Sequence, residues 1–137
     1  MFSPQTRFYF DRAKRFGELQ SATHRGSAGK RAQGHYFEIA LRIEGPYIKD
    51  LAYYCPRCVP AVACGAYLEE SLLEQPLSRA MEITTMEILR VLGGLPVQRS
   101  FYAWLAVQAL HNAIRSGKED EGDVDDAARS KGEPAGG

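Results

Sequence analysis

The chain has no run of eighteen apolar residues, no obvious export signal and few cysteines, and each absence removes a class of protein. Without such a run there is no candidate for a membrane-spanning helix. The N-terminus interleaves Arg7, Arg12, Lys14 and Arg15 with aromatics in place of the apolar stretch of a secretory signal, so the expected location is the cytoplasm. Three cysteines, Cys55, Cys58 and Cys64, fall within ten residues of one another. In a cytoplasmic chain that clustering argues against a disulfide framework and for a metal or redox role, with plain buried thiols as the alternative. A phosphate-binding glycine loop is missing, and no nucleophile, base and orienting residue occur together, so a hydrolase or transferase finds no support and no enzyme is expected.

What is present suffices for one domain. The chain has 137 residues, 45% of them hydrophobic, enough to build a single core without covalent staples. Net charge is zero but unevenly spread: seven Lys or Arg against two acids from Met1 to Gly34, and three against seven from Lys118 to Gly137. Residues 118–137, rich in Asp, Glu, Gly and Ser, bury too little apolar surface to offset ordering entropy and read as an acidic disordered tail behind a domain of residues 1–117. The basic N-terminal segment lacks a nucleic-acid recognition motif and reads as a solvated or protein-docking face.

Periodicity supplies the elements. Ser3-Pro4 starts a helix expected over 4–16, with Gly17 as its stop. Residues 18–34, without periodicity, read as a mobile loop. His35, Phe37, Ile39, Leu41 and Ile43 alternate with Tyr36, Glu38, Ala40 and Arg42, the pattern of a half-buried strand. Glu44-Gly45-Pro46 turns the chain into a second strand, Tyr47 to Tyr54, closed by Cys55, and the sheet has room for one more strand. From Pro60 the spacing becomes helical and holds to Pro76. Small residues line this helix, and Gly65 inside it costs about 1 kcal/mol relative to alanine unless packing offsets it. Thr84 and Glu87 have capping-box spacing for a helix over 85–92 ended by Gly93-Gly94, and a last helix is expected from Ser100 to Ser116 with Gly117 as its stop. Strands early and helices late imply an α+β fold, a small antiparallel sheet packed against a helical layer.

Cys55 and Cys58 form a Cys-x-x-Cys at a strand end, a spacing that places two sulfurs on one side of a turn, as zinc or an iron–sulfur centre requires. A reducible dithiol or two structural thiols fit the same spacing. Cys64, six residues beyond Cys58 and inside the helix, reads as a packing group.

The run from Tyr54 to Gly65, Tyr-Cys-Pro-Arg-Cys-Val-Pro-Ala-Val-Ala-Cys-Gly, resembles the segment of IscU- and NifU-type iron–sulfur cluster assembly scaffolds in which a strand ends in a turn, presents a cluster cysteine and enters a small-residue helix. Cys58 matches that cysteine, the register holds to Ala80, and Leu95-Pro96-Val97 resembles the family's Leu-Pro-Pro-Val loop; in all, the resemblance spans residues 8–116. It implies an α+β scaffold fold, an iron–sulfur cluster or zinc as cargo, and a cysteine desulfurase or an Hsp70-type chaperone as partner. The departures are specific. Where the family has Cys-Gly-Asp this chain has Gln33-Gly34-His35, and the third family cysteine falls on Phe101 or Tyr102. Neither aromatic can form a persulfide. The expected site is therefore a reduced set, Cys58 and Cys55 with His35 in place of the family's aspartate, since imidazole is an acceptable ligand for zinc or iron. The alternative for His35 is an ordinary strand-edge residue, and for the protein a cluster-free interaction module that kept the fold and docks to a partner protein.

Overall fold

The computed structural model describes residues 2–122. Helix α1, Pro4–Asp11, is capped by the Ser3 side chain, which accepts from the Thr6 N–H at 3.0 Å. It ends well short of residue 16. The carboxylate of Glu69, 5% exposed, accepts from the backbone N–H groups of Lys14 and Arg15 at 3.2 and 3.1 Å and pulls the chain out of the helical path. Arg15 to Gly17 then run beside the second hairpin strand: the Tyr53 N–H donates to the Arg15 carbonyl at 3.1 Å, and the Gly17 N–H donates to the Tyr53 carbonyl at 2.8 Å.

The expected mobile loop over 18–34 instead contains a strand. β1, His24–Lys30, pairs antiparallel with β2, His35–Glu44, from His24 opposite Leu41 to Lys30 opposite His35, and the short helical turn Arg31–Gln33 joins them. β2 pairs in turn with β3, Tyr47–Tyr54, with a bulge between Arg42 and Ile43. The sheet order is β1-β2-β3. β1 carries no hydrophobic alternation because of what it packs against. A Cβ on Gly26 would stand 2.2 Å from the Ala113 backbone nitrogen and 2.6 Å from the Ala109 carbonyl oxygen, so the last helix lies directly on the strand backbone. Side-chain pattern reports burial against side chains, and here the partner is main chain.

The inner face of the sheet, Phe37, Ile39, Leu41, Leu51 and Tyr53, joins one core with helices α2, Val59–Leu72, and α5, Phe101–Gly122. Gly65 of α2 has its reason here: an added Cβ would sit 2.2 Å from the Tyr53 ring, so the glycine lets the buried aromatic lie flush against the helix. After α2 come α3, Leu77–Glu82, which the sequence pattern did not announce, and α4, Thr85–Val91. Thr84 caps α4 by accepting from the Glu87 N–H at 3.1 Å. The Glu87 carboxylate does not return to the cap as a capping box would; it accepts from the Arg79 guanidinium at 2.6 Å and from the Tyr67 hydroxyl, tying α4 to α3 and α2. Helix α5 continues through Gly117 to Gly122, so residues 118–122 of the expected tail extend it. Residues 123–137, the remainder of that tail, lie outside the described residues. The architecture is the expected α+β layer of a three-stranded antiparallel sheet and helices.

Candidate functional site

Three segments meet at one corner of the molecule: the start of β2, the turn from β3 into α2, and the first turn of α5. The turn is set by Pro56, whose carbonyl accepts from the Cys58 N–H at 2.8 Å. Cys58 then takes extended angles (φ −127°, ψ 153°) as the residue preceding α2, with Pro60 in the first helical turn where its missing N–H costs nothing. The Cys58 side chain makes no capping bond and is half-buried, so its sulfur faces the corner.

Cys55 sits behind it. At 1% exposure it belongs to the core, and burial, with a smaller contribution from the neighbouring Cys58, pushes its thiol up to about 12. Cys64 is fully buried in α2 and its thiol is likewise pushed up by burial, in agreement with a packing role. The Cys-x-x-Cys thus presents one sulfur outward and one inward.

His35 opens β2 and is exposed. Its ring packs edge-on against Phe101 with centroids 4.9 Å apart and lies 6.3 Å from the Tyr102 ring. Phe101 and Tyr102 contact each other at 4.4 Å. Tyr102 is 3% exposed, and its hydroxyl stands 3.4 Å from Nδ1 of His35 and beside the Cys58 thiol. Burial, with the neighbouring Cys58 as the next contribution, raises this phenol to about 12. Of the two aromatics, Tyr102 is the one that brings a polar group to this corner. The sequence signal for this placement is a hydroxyl on the buried side of α5, which demands a polar neighbour.

Among the described residues, no group of three or more His, Cys, Asp or Glu side chains is placed to hold a metal ion, so Cys55, Cys58 and His35 are not gathered into one ligand set. A cavity of about 420 Å³ lies elsewhere, on the outer face of the sheet, lined by residues including Gly17, Arg25, Glu38, Ala40 and Tyr54. Its guanidiniums are engaged: Arg31 forks onto Glu38 with both bonds at 2.6 Å, and Arg25 donates to the Leu19 carbonyl at 3.0 Å. Val97, in the loop before α5, and Trp104, on α5, are 88% and 52% exposed. No helix among the described residues is long and apolar enough to cross a membrane.

Comparison with known proteins agrees with the geometry. The NifU-like N-terminal domain family matches residues 5–122. The iron–sulfur cluster assembly scaffold protein IscU of Aquifex aeolicus is 29% identical over 123 residues, 88% of this chain and 78% of that protein. An IscU scaffold protein of Archaeoglobus fulgidus is 26% identical over 125 residues, 91% of this chain and 82% of its own length. Among solved structures, a NifU-like N-terminal protein from Brucella abortus superposes with a TM-score of 0.64 at 13% identity, covering 85% of this chain and 94% of that one. A putative scaffold for the SUF system from Fervidobacterium islandicum gives 0.63 at 15% identity, covering 82% and 96%. The structural likenesses establish the fold, and the sequence match over most of the chain establishes the kinship: the chain belongs to the NifU-like N-terminal domain family, the iron–sulfur cluster assembly scaffolds of the IscU, SufU and NifU type.

Proposed function

We propose that the protein works in iron–sulfur cluster assembly as a scaffold or carrier that holds iron, zinc or a cluster as cargo through a reduced ligand set, with no catalytic chemistry of its own. The observation that carries this reading is Cys58: the one family cysteine retained is also the one thiol of the three that is not shut in the core. His35 flanks it on the open side. Cys55 stands behind it, and to serve as a ligand it needs the Pro56-Arg57 turn to open. A cluster built on three cysteines does not fit, because Gln33 and Tyr102 supply no thiolate. Any cargo is held with ligands from elsewhere, including those of a partner, and released readily. A cysteine desulfurase is the supplier this role calls for, and an Hsp70-type chaperone is the second partner, met through the Leu95-Pro96-Val97 loop whose Val97 is exposed. The workplace is the cytoplasm. Anaerobic reconstitution with iron and sulfide tests the reading: a chromophore lost in Cys58→Ser supports it, and equal iron in parent and variant removes it.

A second reading has its own observation. Phe101 and Tyr102 fill the place of the third cysteine and pack on His35, as in a protein that kept the fold as a cluster-free docking module. Such a protein takes up no metal and is recovered with a partner in gentle affinity capture; a solitary monomer under those conditions counts against it.

A further inference from the structure

The cavity of about 420 Å³ on the outer face of the sheet shares no lining residue with the corner around Cys58. Its floor includes the cross-strand pair Ala40 and Ala52, 7% and 5% exposed, so a chain laid across it needs small side chains. One wall is preorganised: Arg31 forks onto Glu38 and stacks over the Tyr54 ring, 4.7 Å from its centroid. Two further lining charges stand on opposite sides, and neither has an ion-pair partner among the described residues. Arg25, on the edge strand β1, bonds the Leu19 carbonyl, which leaves its charge uncompensated. Glu18 follows Gly17, whose N–H bonds the Tyr53 carbonyl beside β3. We propose that residues 123–137 of the chain itself dock in this cavity, with Asp123, Asp125 and Asp126 at Arg25 and with Arg129 and Lys131 at Glu18.

The place to which α5 delivers the chain supports this docking. Asn112 donates to the Ser27 carbonyl at 3.0 Å and Ser116 to the Arg25 carbonyl at 2.5 Å, so α5 runs along β1 toward the start of that strand. At a rise of about 1.5 Å per residue, the helix ends at Gly122 about 9 Å beyond Ser116. An extended chain covers about 3.3–3.6 Å per residue, so Asp125 and Asp126 have the reach to pass round the β1 edge and return to Arg25. The residues after them have length to spare for crossing the sheet.

Charge order supports it independently. Across the face, Arg25 at the β1 edge comes first, and Glu18 lies beyond two strand spacings, which together span about 10 Å. Along the segment the acids Asp123, Asp125 and Asp126 come first, and the bases Arg129 and Lys131 follow. The same order of opposite signs fixes a direction of crossing. Val124, Ala127 and Ala128 are small enough for a floor of alanines. Attachment to the same chain supplies an effective concentration on the order of mM, so weak, salt-screened contacts suffice to hold the segment in place. While docked, it denies the outer face of the sheet to other proteins.

The test compares, by NMR, the full ¹⁵N-labelled chain with a full-length variant carrying Asp123→Asn, Asp125→Asn and Asp126→Asn, which keeps length and bulk. The expected result is movement of the Gly17, Glu18, Arg25 and Ser27 amide resonances, with those of α3 and α4 unchanged. Raising salt from about 0.05 M to about 0.5 M should move the parent's resonances toward the variant's positions, and an about tenfold dilution should move nothing. Arg25→Gln, at an exposed position, should shift the amides of residues 123–128 in return. Resonances of Gly17, Glu18, Arg25 and Ser27 that are the same in parent and variant overturn the proposal. Movement confined to another basic surface, such as that of Arg7 or Arg90, overturns it in favour of a different docking place. Shifts that fade on dilution overturn it in favour of a second copy of the chain as the source of the segment. None of these results depends on metal at Cys58, so the reading of function stands or falls separately.

Discussion

The seam between sheet and helices and the corner around Cys58 follow opposite rules. Along the seam, side chains are pared away: Gly26 admits the backbone of α5, and Gly65 admits the ring of Tyr53. At the corner, side chains are large, and Phe101, Tyr102 and His35 pack on one another. The close contacts of the seam involve none of the corner residues, so the architecture and the residues at the corner can change independently. Substitutions on the two sides should therefore separate stability from metal handling.

The largest effect is expected at Gly26. Gly26→Val places a branched side chain against main chain that cannot yield, and should cost about 3 kcal/mol or more, read as a drop in melting temperature with loss of hydrogen-exchange protection in β1. Glu69→Ala comes next. It strips the acceptor from the Lys14 and Arg15 N–H groups, and a loss of about 2 kcal/mol in denaturant unfolding is expected, with freer motion of the segment after α1. Gly65→Ala gains helix propensity of about 1 kcal/mol but drives Cβ into the Tyr53 ring; a net loss of about 1–2 kcal/mol would show that packing outweighs propensity at this position. Tyr102→Phe crosses to the other region and should change stability by less than about 1 kcal/mol, because a ring of the same shape remains.

The smallest effects on stability, and the most local, concern the thiols. Folded protein treated with iodoacetamide near neutral pH should be labelled at Cys58 alone, and mass spectrometry locates the adduct; modification of Cys55 or Cys64 at a similar rate would show that the turn is open. The Cys55 thiol is raised to about 12 in the folded state, against about 8.5 for a free thiol. Between those values the folded state keeps a proton that the unfolded state releases. This contribution to stability is therefore complete below about pH 8.5 and falls as pH rises toward 12. Cys55→Ala should flatten that part of the alkaline stability profile.

The legibility of the sequence divides along the same line. β2 and β3 were readable because their inner face packs on side chains and the alternation records it, from Phe37 to Ile43. β1 was not, since a strand whose half-buried positions are His24, Gly26 and Ala28 leaves no large hydrophobic trace. The end of α1 was misplaced because Glu69, more than fifty positions away, captures the backbone at Lys14 and Arg15. At the corner, the place of Cys58 in the fold was legible from its turn and helix, and that of His35 from its strand. The approach of Tyr102 to His35 was hidden, because a tyrosine in the first turn of a helix shows its neighbour only after the helix is docked.

The central claim is that this scaffold-family protein handles metal through Cys58. The most direct measurement is metal per chain in protein purified without oxygen, compared with Cys58→Ser prepared in the same way. The account predicts bound iron or zinc in the parent and its loss in the variant; a parent free of metal, or a variant carrying as much, would contradict it.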